Sequence, residues 1–569
     1  MALKPIGDAL GSREHESALQ DAASRGDRYR QIAGVLGAHG FGVLIAGLGI
    51  DHLMPFDHGA GERVTGPEAR AREAREALEE LGPTFVKLGQ LLASRRDLLP
   101  VAYVQEFAKL QDSAVPVPAD AVARTIESEF GSPPSELFAT FEAEPLASAS
   151  LGQAHGATLR DGTPVVVKVR RPEAAVIVEE DLEILHHLAA RAARYVPDAA
   201  RYDFPALADE FARSLRAELD YVREAHSADR FAAAFADDPE IHIPRVYWDT
   251  TSTRVLTLER ITGIKVDDLD ALDAAHMDRP AIVRRAIAAI AQMVFTDGFF
   301  HADPHPGNLF IQPGGRIALI DFGMVGTIDG PLRERLAALI IAISRNDADR
   351  IGAALTGLCD APRTRNTDQL HDDVVGLMSL YQGRSIGEVQ MTPLLARMLT
   401  VLRKHRMHLP PDLALLVRML LLVDTVGARL DPAFNLAAAL HPYAARLAAK
   451  HLSLRALATR AGRAGIDVAA LGVELPERLR RLLETMDTDG LELHLRTSEL
   501  DPLVTRMERI GNRIVAGMIA AALIGGVGRL TAVSTGRSRS LRAPLLDSGL
   551  GIVGVLVAYL AATARRRSP

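Results

Sequence analysis

What most limits how this chain can fold is the spacing of three oxygen-bearing side chains around a short hairpin. In "HADPHPGNLF" Asp303 and Asn308 stand five apart, and "DFG" follows at Asp321 to Gly323. The residues between them, "LFIQPGGRIALIDFG", read as two short strands with Pro-Gly-Gly at the tip. A hairpin fixes the separation of its ends, so the loop and the DFG turn can converge on one ion. Phosphoryl transfer needs that layout: one Asp orients the proton of the nucleophile, while an Asn and a second Asp hold Mg²⁺ against the phosphates. Mg²⁺ prefers oxygen ligands, and Asn308 and Asp321 supply them. A lone DFG, or a lone Asp-x4-Asn, would more often be a turn. The two together, separated by a hairpin and preceded by a helix, are a far stronger signal.

The same stretch admits another reading, with His301, Asp303 and His305 as ligands to zinc or iron. Two-residue spacing puts all three on one side only in a strand, and Pro304 and Pro306 disfavour a regular strand there. His301 fits better as a structural histidine of the loop.

A kinase-type site makes an independent demand upstream: a lysine on a strand of a small sheet, reaching the phosphates. "DGTPVVVKVRRP" joins an Asp161-Gly162 turn to a valine run, a strand entered from a hairpin. Lys168 stands in that run and is one of only seven lysines among 65 basic residues. The alternative is an edge-strand lysine that blocks unwanted pairing. About twenty residues earlier a loop should cover the phosphates. Residues 145 to 157, "PLASASLGQAHGA", are rich in small residues but lack G-x-G-x-x-G. Ala147, Ser148, Ala149 and Ser150 could bring backbone N–H groups to a phosphate, with hydroxyls to help.

At 569 residues the chain is too long for one core and suggests three or four structural units. A net charge of −7 offers no basic footprint for nucleic acid. The one cysteine, Cys359, excludes an intramolecular disulfide and a cysteine-based zinc site, which fits a reducing cytosolic compartment. No basic-plus-apolar leader is read at the N-terminus.

Few strands are grouped early and many helices follow, so the class is α+β. Five regions result: an N-terminal helical region and linker at 1–65, a helical extension at 66–140, and a sheet-containing N-lobe with a helical insert at 141–262. A helical C-lobe with the catalytic loop and DFG follows at 263–508, and a C-terminal hairpin at 509–569. Within the extension, "PTFVKLGQLLASRRDLL" opens a helix at Pro83 and Pro100 closes it.

Taken in order, these motifs resemble the UbiB-type family of atypical protein-kinase-like proteins, associated with ubiquinone biosynthesis and isoprenoid-lipid metabolism. The family's K-x-G-Q helix stands here as "KLGQ" (Lys87, Gly89, Gln90), its Ala-rich loop as "ASAS" (147 to 150), and its E-x-D motif as "ELD" (Glu218, Asp220). Its metal site falls on Asp303, Asn308 and Asp321, and the match covers roughly residues 30 to 440. The resemblance implies an atypical kinase-like fold, ATP and Mg²⁺ as cofactors, and Glu224 as the glutamate partner of Lys168. It extends the nucleotide-binding set to Glu259 and Ile261, and makes Lys87, Gly89, Gln90, Glu218 and Asp220 regulatory residues over the peptide-binding region. Two positions depart from the family's pattern: Ser148 replaces the middle alanine of the loop, and Ala93 stands where a serine is usual.

Protein kinases run a segment of about twenty or more residues from DFG to A-P-E. Here Gly330-Pro331 starts a helix within about ten residues of DFG, and "DAPRT" downstream lacks the glutamate. That leaves little chain for a peptide platform and argues against protein substrates. Finally, residues 514 to 533 and 548 to 564 are nearly free of charge. At 1.5 Å per residue the first could just cross a core of ~30 Å, and small-residue spacing would let two such helices pack. The expectation is a Mg-dependent ATPase or lipid kinase at the cytoplasmic membrane, its body facing the cytosol and its C-terminal hairpin as the anchor. Its partners would be a membrane lipid or prenylated quinone precursor and quinone-biosynthesis enzymes, with no nucleic acid. The alternative is a nucleotide-gated lipid chaperone or scaffold whose turnover is incidental.

Overall fold

In the computed structural model, the run "PVVVKVR" becomes the strand around which the N-lobe is built. The structure describes residues 26–41, 66–110, 114–195, 203–345, 347–359, 367–381 and 390–451. All belong to the first of the chain's two units, Met1–Ala458; the second, Thr459–Pro569, lies outside the described residues, as do both apolar segments of the tail. Among the described residues no helix is long and apolar enough to cross a membrane.

Among the helices before the sheet are α1 (Pro67–Leu81), α2 (Pro83–Ser94), α3 (Val101–Phe107) and α4 (Ala119–Phe130). The N-lobe strands are β1 (Phe138–Phe141), β2 (Ala147–Ser148), β3 (Gly152–Leu159), β4 (Pro164–Arg170) and, later in the chain, β6 (Val255–Glu259). Their order is β1-β3-β4-β6, all antiparallel, with β2 also pairing β3. Gly162, with φ at 89°, and the Asp161 carboxylate, which accepts from the Thr163 N–H at 2.9 Å, turn β3 into β4. Alternation then buries Val165, Val167 and Val169 against Val122 and Ile126 of α4 and Phe138 of β1. Each such valine is worth about 1.5–3 kcal/mol of burial. Because β4 has a neighbour on both sides, Lys168 is not an edge-strand guard.

A helical insert, α5 (Ala174–Tyr195) and α6 (Phe204–Glu218), leads to α7 (Tyr221–Ala234). Leu151, Val178, Leu182, Phe211 and Leu215 form the insert's core, and Leu88 and Leu91 of α2 pack against it. Arg28, in the helical residues 26–38, reaches the buried Asp181 of α5 through Nε at 2.8 Å and Nη2 at 3.0 Å.

The strands β5 (Ile241–His242), β7 (Ile264–Lys265), β9 (Leu309–Gln312) and β10 (Arg316–Leu319) form a second sheet in the order β5-β10-β9-β7. The predicted hairpin is β9–β10, antiparallel, turning at Pro313–Gly315. β8 (Phe299–His301) pairs β11 (Val325–Thr327), which brings the catalytic loop beside the DFG turn. Before β8, α8 (Arg279–Ala291) ends in a π-helical turn at Gln292–Asp297. Then come α9 (Gly330–Ser344), α10 (Ala348–Leu358), α11 (Thr367–Ser379), α12 (Met391–Lys404), α13 (Pro411–Leu430) and α14 (Leu436–His451). α9 begins where the sequence places it, with the Asp329 carboxylate accepting from the Leu332 N–H at 2.7 Å.

One boundary differs. The helix predicted to run from Pro83 to the turn before Pro100 stops at Ser94. Arg95 leaves helical geometry, at φ −89° and ψ 62°, and buries its guanidinium. That guanidinium bonds the Asp97 carboxylate at 3.0 and 3.1 Å, Glu210 of α6 at 3.0 and 3.1 Å, and the Leu409 carbonyl at 3.3 Å. A continued helix would carry Arg95 away from these three partners.

Candidate active site

The alternation that buries the valines of β4 sends Lys168 to the opposite side, into a cleft of about 1390 Å³. Lys168 Nζ donates to Glu224 Oε1 at 2.5 Å and lies 3.7 Å from Asp321 Oδ1. Glu224, in the first turn of α7, also accepts from the Phe322 N–H at 3.4 Å. One carboxylate thus joins β4, α7 and the DFG turn. Burial by itself would lower the Lys168 pKa, but the charges of Asp321 and Glu224 overcome it and raise it. Burial pushes the Asp321 carboxyl up, while Lys168 and the Gly323 N–H, which donates at 3.0 Å, bring it down to about 2. With 45% of the Asp321 side chain facing solvent, that attraction is screened and contributes little to stability. Its consequence is a fixed charge in the cleft at neutral pH.

In the catalytic loop the Asp303 N–H donates to His301 Nδ1 at 3.1 Å. His301 is buried between β8 and the rings of Phe231 and Phe322, and burial lowers its pKa. A neutral imidazole is what an acceptor nitrogen requires. Asn308 Nδ2 donates to the Asp303 carbonyl at 3.3 Å, and its amide oxygen is an acceptor that could face a cation. An amide oxygen and a carboxylate held ionised are a donor set that fits Mg²⁺. His305 is spent on its own turn, its Nδ1 accepting from the Gly307 N–H at 3.1 Å. Among the described residues, the side chains close enough to share a metal as a trio are His39, Glu73 and Glu76, so the His301–Asp303–His305 alternative fails.

A residue that sequence reasoning missed completes the site. Arg418, in the middle of α13, donates from Nη2 to Asp303 Oδ1 at 3.0 Å. Its only signal was a lone arginine in the apolar run "LLVRMLLLV", 115 residues downstream.

The small-residue loop is brought to the cleft in part. Ala147 and Ala149 line it. Ser148 and Ser150 do not: the Ser148 hydroxyl accepts from Arg171 Nη2 at 3.0 Å, and Ser150 is buried. The expected help from their hydroxyls is therefore absent. Glu259 and Ile261 also border the cleft, but the Glu259 carboxylate accepts from the Arg245 N–H at 3.2 Å and faces His242. α2 lies along the cleft, and there Lys87 Nζ donates to Glu218 Oε1 while Gln90 Nε2 donates to the Leu110 carbonyl at 3.3 Å. Gly89 lets α2 approach, since a Cβ there would collide with Leu110 and Leu78. Asp220 departs from the grouping expected of it: its carboxylate caps α7 through the Val222 N–H at 3.1 Å.

The ABC1 atypical kinase-like domain matches residues 109–355, and the UbiB helical domain, which includes Arg418, matches residues 376–435. The chain is 34% identical over 442 residues to "Uncharacterized protein sll1770" of Synechocystis, covering 77% of this chain and 76% of that one. It is 31% identical over 468 residues to "Probable protein kinase UbiB" of Xanthomonas euvesicatoria, covering 80% and 84%. A solved chain from the complex of Rv3197 with erythromycin, from Mycobacterium tuberculosis, is 26% identical, with a TM-score of 0.42 over 62% of this chain and 90% of that one. With the two matched domains in order, and a relative at 31% identity aligned over most of both chains, the chain belongs to the UbiB family of atypical kinase-like proteins.

Proposed function

We propose that the chain binds Mg-ATP in this cleft and either hydrolyses it or transfers its terminal phosphoryl group to a small or lipid-like acceptor. That activity would support quinone or other isoprenoid-lipid metabolism at the membrane. The observation that carries the reading is that Lys168, Glu224, Asn308 and Asp321 line one cleft, which residues of α2 also border.

Asn308 and Asp321 would hold Mg²⁺, which when bound neutralises charge on the phosphates. Lys168, kept cationic and aimed by Glu224, grips phosphate oxygens. Ala147 and Ala149 give close backbone approach without side-chain bulk. Asp303, at the mouth of the catalytic loop, orients or accepts the proton of the attacking hydroxyl or water. The Lys87–Glu218 pair also borders the cleft and takes up room a peptide substrate would need, and the direct passage from β11 to α9 supplies no peptide platform. Both favour a small acceptor over a protein.

A second reading, a nucleotide-gated lipid chaperone with incidental turnover, is favoured by one observation. Arg418 Nη2 occupies Asp303 Oδ1, so that oxygen is engaged by the protein rather than turned to an attacking hydroxyl. Phosphate release and nucleotide binding by the full chain separate the two. Asp321→Asn should abolish Mg-dependent nucleotide binding. Asp303→Asn should keep binding but lower turnover by about 100-fold or more. If Asp303→Asn turns over at the parent rate, Asp303 is no base and the chaperone reading stands.

A further inference from the structure

The helical half of the chain encloses a second cavity, of about 240 Å³, none of whose lining residues borders the nucleotide cleft. Its walls come from α8 to α14, and apart from the Tyr381 hydroxyl every lining side chain is apolar or the thiol of Cys359. Leucines dominate, and Met378, Met391 and Met398 add flexible thioethers that mould to irregular shapes. A cavity so lined does not hold water stably, because water needs two or more polar partners. Left empty it destabilises the lobe in proportion to its volume. The π-helical turn at Gln292–Asp297 turns Val294 and Phe295 into this wall, and π turns inside α-helices are frequent at functional sites. Val375 and Leu380, close in sequence to the lining residues Met378 and Tyr381, are 42% and 48% exposed.

We propose that this cavity is a binding site for an uncharged hydrocarbon chain. By proportion to a 150 Å³ apolar cavity that takes benzene, it holds roughly ten carbons. A charged head could not enter without leaving its charge unpaired, so only the tail of an amphiphile, or a neutral lipid, qualifies. The site stands whether or not the cleft turns nucleotide over. Helix α13 borders both sites: Leu416, Val417 and Leu420 line the cavity, while Arg418 on the same helix holds Asp303.

The test is thermal unfolding of the full chain with a series of straight-chain alcohols, from hexan-1-ol to tetradecan-1-ol, and with decanoate. The expected result is an upward shift of about 3 °C that peaks near decan-1-ol, falls for tetradecan-1-ol and is absent with decanoate. Ala437→Phe, which places a ring in the cavity, should remove the decan-1-ol shift. Leu399→Ala, which enlarges the cavity, should move the optimum to longer chains, and it serves if the ring is not tolerated. A shift that rises steadily with chain length, one unchanged in both variants, or no shift with any alcohol overturns the proposal.

Discussion

At the scale of single residues, the site is governed by an asymmetry between Lys168 and Glu224. Burial pushes the Glu224 carboxyl up and Asp321 adds to that, while Lys168 pulls against both. The lysine is therefore what opposes protonation of a nearly buried carboxyl between β4 and α7. Lys168→Met removes the counter-charge and leaves the carboxylate to protonate or stand alone. The expected cost is about 3 kcal/mol near pH 8 in urea unfolding. The sign of its pH dependence follows from linkage. A carboxyl raised in the folded state costs nothing below its unfolded pKa, and its cost grows as pH rises toward the folded value. The deficit should therefore shrink as pH is lowered from 8 to 5. Lys168→Met/Glu224→Gln should recover most of it at pH 8, because the amide needs no counter-charge. A deficit independent of pH would show that packing, not charge, is what Lys168 supplies. Asp321 behaves oppositely: with its pKa near 2, its charge persists above about pH 4 and is lost only as pH falls through that value. It contributes no pH dependence in the neutral range.

At the scale of elements, the extension is part of the cleft because one arginine refuses to be helical. Arg95 ties the end of α2 to α6 through Glu210 and to the C-lobe through the Leu409 carbonyl, while Asp97 accepts from the Leu409 N–H at 3.2 Å. Arg95→Met should leave Asp97 buried without its cation and release α2 locally. In hydrogen exchange the amides of α2 should speed up at least tenfold more than those of β4. An equal rise in both would mean that Arg95 supports the whole fold rather than this junction. The same junction shows what sequence could and could not disclose. Lys168, Asn308 and Asp321 were legible because each lies in a local pattern, a valine strand or a hairpin with fixed ends. Glu224 needed the family resemblance, since α5 and α6 intervene and spacing alone does not single it out. Arg418 showed only as a lone arginine in an apolar run and Arg95 gave no signal, because each has partners more than a hundred positions away. The misreading of Ser148 and Ser150 has a related cause: a two-residue strand and the guanidinium of Arg171 decide which way that loop faces, and neither is a local propensity.

At the scale of the whole molecule, the cleft draws its groups from both lobes, so a nucleotide should act as a staple between them. Lys168 and Glu224 belong to the N-lobe, while Asn308, Asp321 and Arg418 belong to the C-lobe. A ligand that needs all of them binds only when both lobes are folded, and it stabilises by mass action. At a free concentration of about 100 Kd the gain is about 2.7 kcal/mol. A shift of 2–4 °C per kcal/mol is usual for about 150–250 residues, and a unit roughly twice that size shifts about half as far. Mg-ATP should therefore raise the unfolding midpoint of the full chain by about 3–5 °C, with calorimetric and spectroscopic transitions moving together. Chelation of Mg²⁺ should remove most of the shift, and Asp321→Asn should be insensitive to Mg²⁺ from the outset. A shift of full size in the presence of chelator would mean that Asn308 and Asp321 hold no metal. Separate transitions of the N-lobe and the C-lobe within Met1–Ala458, of which only one responds, would mean that the cleft belongs to a single lobe and that the ion pair of Lys168 with Glu224 is a packing feature of that lobe.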